Sequence, residues 1–174
     1  MNSMTPSSMT PEQATLQAEV EQFIYSEAAM VDQARWQEWL ELYTEEMVYW
    51  APSWVNENEL TCDPEAEVSI IYMNNRKELE HRIWRFTSGE SPASYPLPRT
   101  NHMVSNVSIT SVSDDEIKVA SNWMSQIYRD KEQVIYGGFY EHTLVRLDGQ
   151  LRISYKKVVL LNDIVVGFVD VYHL

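Results

Sequence analysis

The sequence predicts an α+β fold, with helices first and a run of long antiparallel strands after them. Apolar residues recur at helical spacing as far as Phe86, and from Arg99 onward the period becomes two. Asp148-Gly149, set between two such alternating runs, is a tight-hairpin signal that makes the last strands antiparallel. A chain of 174 residues suits one domain burying roughly 70% of its unfolded surface. That domain is expected over residues 11–174, after a disordered lead-in at 1–10 rich in Met, Ser, Thr and Pro.

Thr10-Pro11-Glu12-Gln13 is a helix start: Thr10 caps, Pro11 suits the first helical position, and Gln13 closes a capping box. Leu16, Val20, Phe23, Ile24 and Val31 follow as one apolar stripe. Trp36, Trp39, Leu40 and Tyr43 mark a second helix, for which Asp32 is the expected N-cap. Met47 to Pro52 reads as a first strand, Ser53 to Pro64 as a polar loop, and Val68 to Met73 as a second strand. Asn74 or Asn75 then caps a helix carrying Leu79, Ile83 and Phe86, with Glu78 and Arg82 as an i, i+4 pair. Thr87 to Pro98 is too rich in proline for regular structure.

The strand run begins with Arg99-Thr100-Asn101-His102-Met103-Val104-Ser105-Asn106, and clean alternation continues from Val107 to Thr110. Asp114-Asp115 turns into a strand of Ile117, Val119, Trp123 and Ile127, and Arg129 to Glu132 turns again. The next strand, from about Val134 to Leu147, carries a bulge or close-packing site at Gly137-Gly138. Leu151, Ile153 and Tyr155 open the last one. A long sheet with helices on one side curls into a cone around them, the arrangement of nuclear-transport-factor-2-like (cystatin-like) folds.

Composition removes several function classes. A net charge of -13, from 26 acidic and 13 basic residues, argues against nucleic acid or an anionic membrane as partner, since both need clustered Lys and Arg. No apolar run approaches the ~20 residues of a membrane span. With Cys62 as the only cysteine no internal disulfide forms, and a reducing cytoplasm is the expected location. Cys62 sits in an acidic loop with no nearby cation, which makes an inert thiol.

The four histidines, His81, His102, His142 and His173, form no H-x-x-x-H or H-x-x-H pair. A Rieske cluster needs two Cys and two His, and one cysteine cannot supply that. No metal ligand and no cofactor-binding residue is assigned to this chain. His102 suits a hydrogen-bonded place at a sheet or subunit edge, or the role of a general base. Asp32 suits the helix cap, or a base whose pKa an apolar cavity raises. His81, beside Arg82 and Arg85, suits a solvated or interface face. The six Trp residues at helical and strand spacing suit a core rather than a ligand pocket.

Leu42 to Glu46 with Tyr49-Trp50-Ala51-Pro52, the Arg99–Asn106 block, Leu144 through Asp148-Gly149 to Ile153, and the tail from Lys156 to Asp163 carry a family likeness. On them the chain resembles the small (β) subunit of Rieske non-haem-iron aromatic-ring-hydroxylating dioxygenases, over nearly everything from about Val20 onward. The resemblance implies a cone-shaped subunit assembled with a larger α subunit as an α3β3 hexamer. It places the Rieske 2Fe-2S cluster and mononuclear iron on the α subunit. Electrons come from NADH through a reductase, sometimes with a ferredoxin, and dioxygen is added across an aromatic ring to give a cis-diol. No catalytic residue is carried over to this chain. The C-terminal half is similar to subunits serving single-ring aromatic acids.

Two other readings remain open. One is a stand-alone isomerase or dehydratase on the same cone, using Asp32 or His102 as base. The other is a module that carries a hydrophobic ligand in the cone. Under the subunit reading, Arg99, His102 and Asn106 are expected at or near a subunit contact, with the loop from Pro92 to Arg99 and the charged third helix as further candidates.

Overall fold

The computed structural model describes residues 9–91, 94–162, 164–165 and 167–174. The lead-in up to residue 8, Pro92 and Asp163 therefore lie outside the described residues.

Helix α1 (Pro11–Asp32) starts as its sequence dictates. Thr10 Oγ1 accepts from the Gln13 N–H at 3.3 Å, and Gln13 Oε1 accepts from the Thr10 N–H at 2.9 Å. These reciprocal bonds satisfy two donors at the helix start and its entry. Its buried face is Val20, Ile24, Glu27 and Val31. Ala34, with φ of 54°, turns the chain into the short helix α2 (Trp36–Glu41).

Asp32 does not cap α2. The N-cap position belongs to Arg35, which makes no side-chain cap bond, while Asp32 ends α1 and faces the sheet. Tyr43 leaves the expected helical stripe to begin β1 (Tyr43–Pro52). The Ser53–Pro64 loop contains a small ribbon of β2 (Trp54–Asn56) and β3 (Glu59–Leu60), pinned by Trp54 Nε1 donating to the Leu160 carbonyl at 2.6 Å.

After β4 (Ser69–Met73), Asn75 caps α3 (Arg76–Thr87) through the Glu78 N–H at 3.0 Å. Leu79, Ile83 and Phe86 are buried as their spacing requires. The Glu78–Arg82 pair gives way to stronger partners. Glu78 accepts from the Asn74 N–H, and Arg82 reaches Asp170.

Four long strands follow: β5 (Arg99–Val112), β6 (Ile117–Arg129), β7 (Glu132–Leu147) and β8 (Gln150–Leu160). The six-stranded sheet runs β4-β1-β8-β7-β6-β5. Every neighbouring pair is antiparallel except β1 and β8, which are parallel. No short hairpin joins those two, so the direction of β1 is not set by a local turn.

The β6–β7 register is unbroken from Ile117↔Leu144 to Arg129↔Glu132, so the glycine pair is a close-packing site and not a bulge. A Cβ on Gly138 would lie 1.9 Å from the Val159 carbonyl oxygen. The irregularities lie elsewhere. In β5 the register shifts at Asn106, whose φ is 54°. In β8 Ser154 is the extra residue, so Leu151 and Ile153 face inward before it and Lys156, Val158 and Leu160 after it.

Helices and sheet close on one core, with Trp39, Tyr43, Tyr49, Ile153 and Leu160 almost fully buried. The last turn, Val171–His173, and Leu174 are buried as well. Asp170 fastens them, accepting from Arg82 Nη1 and Arg85 Nη2 at 2.7 Å each.

Candidate functional site

The long strands alternate between an inner and an outer face, and the inner face gathers the titratable groups. Asp32, at the end of α1, is met by three donors from β5. Thr100 Oγ1 donates to Oδ1 at 2.8 Å, the His102 N–H to Oδ2 at 2.8 Å, and His102 Nδ1 lies 2.6 Å from Oδ1. With Nδ1–H donating to the carboxylate, Nε2 carries the free lone pair. Nε2 is buried and has no hydrogen-bond partner.

The two residues considered separately as bases therefore stand together. Local spacing carries no sign of this pairing, since 70 positions separate the two residues. Burial pushes the Asp32 carboxyl up, but the hydrogen bonds from His102 pull it down further, so the net shift is downward. That is the reverse of what a proton-abstracting carboxylate in an apolar cavity requires.

The His102 side chain is only 2% exposed. It faces Ser125, which in turn faces Tyr136, and the Tyr136 ring meets His173 edge-on at 6.4 Å. Cavities of about 430 and 380 Å³ open elsewhere, and neither is lined by Asp32 or His102. The geometry is that of an oriented imidazole enclosed by the sheet and the C-terminal turn.

A second inner cluster, with no single motif to mark it, centres on Glu27. Glu27 Oε1 accepts from Lys156 Nζ at 2.6 Å, Tyr43 OH at 2.7 Å and Trp39 Nε1 at 3.3 Å. His142 Nε2 stands 3.5 Å from Oε2. Burial pushes the Glu27 carboxyl up, but the Lys156 charge and His142 outweigh it and hold it well below the usual carboxylate range. Burial also pushes the His142 imidazole down from its ordinary value, against the pull of Glu27. Lys156 Nζ lies 4.3 Å over the Tyr140 ring, a cation–π contact that offsets part of its desolvation. Two signals were available: Glu27 falls on the apolar stripe of α1, and the alternation of β8 slips by one residue before Lys156.

The other candidates are dispersed. Arg99 and Asn106 are exposed on β5. The Arg99 guanidinium lies 4.5 Å over Tyr128, and Asn106 Nδ2 donates to Asn122 Oδ1 at 3.3 Å. His81 is exposed on α3, as is Trp84, which lies outside the expected Trp core. Cys62 is exposed, and the Glu67 charge pushes its thiol up, which keeps it unreactive. Among the described residues no group of three or more His, Cys, Asp or Glu is placed to hold a metal ion. With Cys62 as its only cysteine, the donor set does not fit a Rieske cluster.

The family model described as "Ring hydroxylating beta subunit" matches residues 26–166. The chain belongs to that family. It is 41% identical over 152 residues to the small subunit of 2-halobenzoate 1,2-dioxygenase from Burkholderia cepacia, covering 87% of this chain and 92% of the relative. The crystal structure of the benzoate 1,2-dioxygenase β subunit from Burkholderia mallei superposes with a TM-score of 0.75 at 32% identity, over 90% of this chain and 96% of that one. A protein described as a scytalone dehydratase from Novosphingobium aromaticivorans shares the fold alone, with a TM-score of 0.68 at 20% identity over 92% and 95% of the two chains. The expected cone fold and family both stand. No described helix is long and apolar enough to cross a membrane.

Proposed function

We propose that this chain is the small subunit of the oxygenase component of a dioxygenase acting on a single-ring aromatic acid. The observation that carries this reading is the near full-length match to halobenzoate and benzoate dioxygenase subunits. The interior agrees with it. Glu27, Asp32 and Asp170 are each engaged by partners within the chain, which makes them struts rather than reagents.

In this reading three copies assemble with three large subunits in the cytoplasm. The large subunit holds the 2Fe-2S cluster and the mononuclear iron, and receives electrons from NADH through a reductase. Arg99 and Asn106 stand on the outer side of β5 at or near a subunit contact, while His102 ties the same strand to α1 from the inner side.

Co-expression with the large subunit of a benzoate-type dioxygenase tests this. The expected result is a red-brown complex that converts a benzoate-type acid to a cis-diol, with this chain at one copy per large subunit. A chain that is not retained by a folded, iron-loaded large subunit would contradict it.

A further inference from the structure

A cavity of about 380 Å³ opens where the turn between β6 and β7 meets the C-terminal segment. Its walls include Ile127, Val134, Tyr136, Phe168 and His173. The register sets Ile127 opposite Val134 and Ser125 opposite Tyr136. Directly opposed residues share a face, as do residues two apart on a strand, so Ile127, Val134 and Tyr136 all stand on the inner side of the sheet. Ile127 and Tyr136 are no more than 5% exposed, which makes this wall packed core rather than loop surface.

One hydrogen-bond donor is left over within these walls. His173 Nδ1 accepts from the Asp170 N–H at 2.9 Å, and burial keeps the ring neutral at pH 7. A neutral imidazole with one nitrogen accepting carries its proton on the other. The His173 Nε2–H is therefore a donor, and it has no acceptor among the described residues. Tyr136 meets the ring edge-on at 6.4 Å and Tyr172 packs against it at 4.3 Å, so its orientation is fixed.

Charge narrows the class of ligand. Arg129, Asp130 and Glu132 also line the cavity. Arg129 Nε lies 3.4 Å from Asp130 Oδ2, so its charge is matched and Glu132 leaves the rim negative. An anion is opposed there by like charge, on a chain of net charge -13. A cation brings donors to a wall that itself offers a donor. The volume is near the lower end of the about 300–1,000 Å³ of small-molecule sites, which suits one ring, and Tyr136 and Phe168 supply aromatic contacts to it.

We propose that this cavity binds a neutral single-ring aromatic compound carrying a carbonyl oxygen. The ring lies against Tyr136 and Phe168, and the oxygen accepts from His173 Nε2–H. The site is distinct from the Asp32–His102 pair, which does not line the cavity, and it belongs to this chain whether or not a large subunit is bound.

The test is fluorine NMR titration of the full chain alone at pH 7 with three probes that share one ring. Para-fluoroacetophenone carries the carbonyl, fluorobenzene lacks an acceptor, and para-fluorobenzoate is an anion. The ketone is expected to saturate with a Kd of about 1 mM or tighter, fluorobenzene to bind about fivefold more weakly, and the benzoate not to saturate. His173→Phe should bring the ketone down to the affinity of fluorobenzene and leave fluorobenzene itself unchanged, a split that general damage to the fold would not give. Val134→Trp fills the cavity from the opposite wall and should abolish binding of both, which keeps the test open where His173→Phe misfolds. A ketone that fails to saturate would overturn the proposal, as would equal affinity for ketone and fluorobenzene, tighter binding of the benzoate, or binding that survives Val134→Trp. All of these are read without the large subunit, so failure of the subunit reading shows separately, as loss of co-assembly.

Discussion

Lys156 Nζ lies 2.6 Å from Glu27 Oε1 with both side chains no more than 4% exposed, joining the last long strand to the first helix across the core. Removing one partner of a buried pair leaves a charge without its counter-ion, which costs about 3–5 kcal/mol. Lys156→Met is therefore expected to lower unfolding free energy by that amount in urea titrations. Adding Glu27→Gln should recover part of the loss, since the uncompensated charge is gone. Additive losses in the double variant would contradict the coupling.

The Asp32 contact makes an acid-side prediction. Its carboxyl is held below the ordinary value, with burial opposing and His102 prevailing. A depressed carboxylate adds stability that is present above the unfolded pKa and is lost as pH falls through the folded value. Asp32→Asn should cost about 1–3 kcal/mol at pH 7 and flatten the stability curve below about pH 4. Equal acid sensitivity in variant and wild type would refute the assignment.

His173 makes a prediction nearer neutrality. Its Nδ1 accepts from the Asp170 N–H at 2.9 Å, which requires an unprotonated ring nitrogen. Burial lowers its pKa to about 4, against about 6.5 in an unfolded chain. As pH falls the unfolded chain binds that proton first, so stability present above about 6.5 is lost progressively toward about 4, by up to about 3 kcal/mol. His173→Gln should lose most of this slope in denaturation midpoints between pH 7 and 4. A slope identical to wild type would remove His173 as its source.

The Gly137-Gly138 pair allows either a bulge or a tight approach, and Gly138 makes the tight approach. Gly138→Ala puts a methyl carbon against the Val159 carbonyl at 1.9 Å, so β7 and β8 must move apart. Overpacking of this kind costs about 1–3 kcal/mol, measurable as a fall in melting temperature. A neutral Gly138→Ala would contradict the register.

What the sequence revealed was what local chemistry controls. The Thr10–Gln13 box, the Asn75 cap and the Leu79–Ile83–Phe86 face are spaced within single helices, and each forms as expected. Asp32 departs from its expected cap because its best donors, Thr100 and His102, arrive from a distant strand. Lys156 was hidden because the extra residue at Ser154 reverses which positions of β8 face inward. The parallel direction of β1 was not legible for the same reason, since no hairpin records it.

Arg99 and Asn106 test the outer side of the signature strand. Arg99→Glu breaks the stack on Tyr128 and reverses the charge at the start of β5, and it should lower the yield of assembled oxygenase severalfold. A wild-type yield would count against a contact there.

In the subunit reading this chain supports a dioxygenase without performing its chemistry. The decisive quantity is the turnover, per iron–sulfur cluster, of fully assembled oxygenase carrying Asp32→Asn with His102→Gln. The expected kcat is within about twofold of wild type once unassembled protein is removed. A loss of a hundredfold or more in intact complex, the range expected when a general base is deleted, would make this pair part of the reaction and contradict the account.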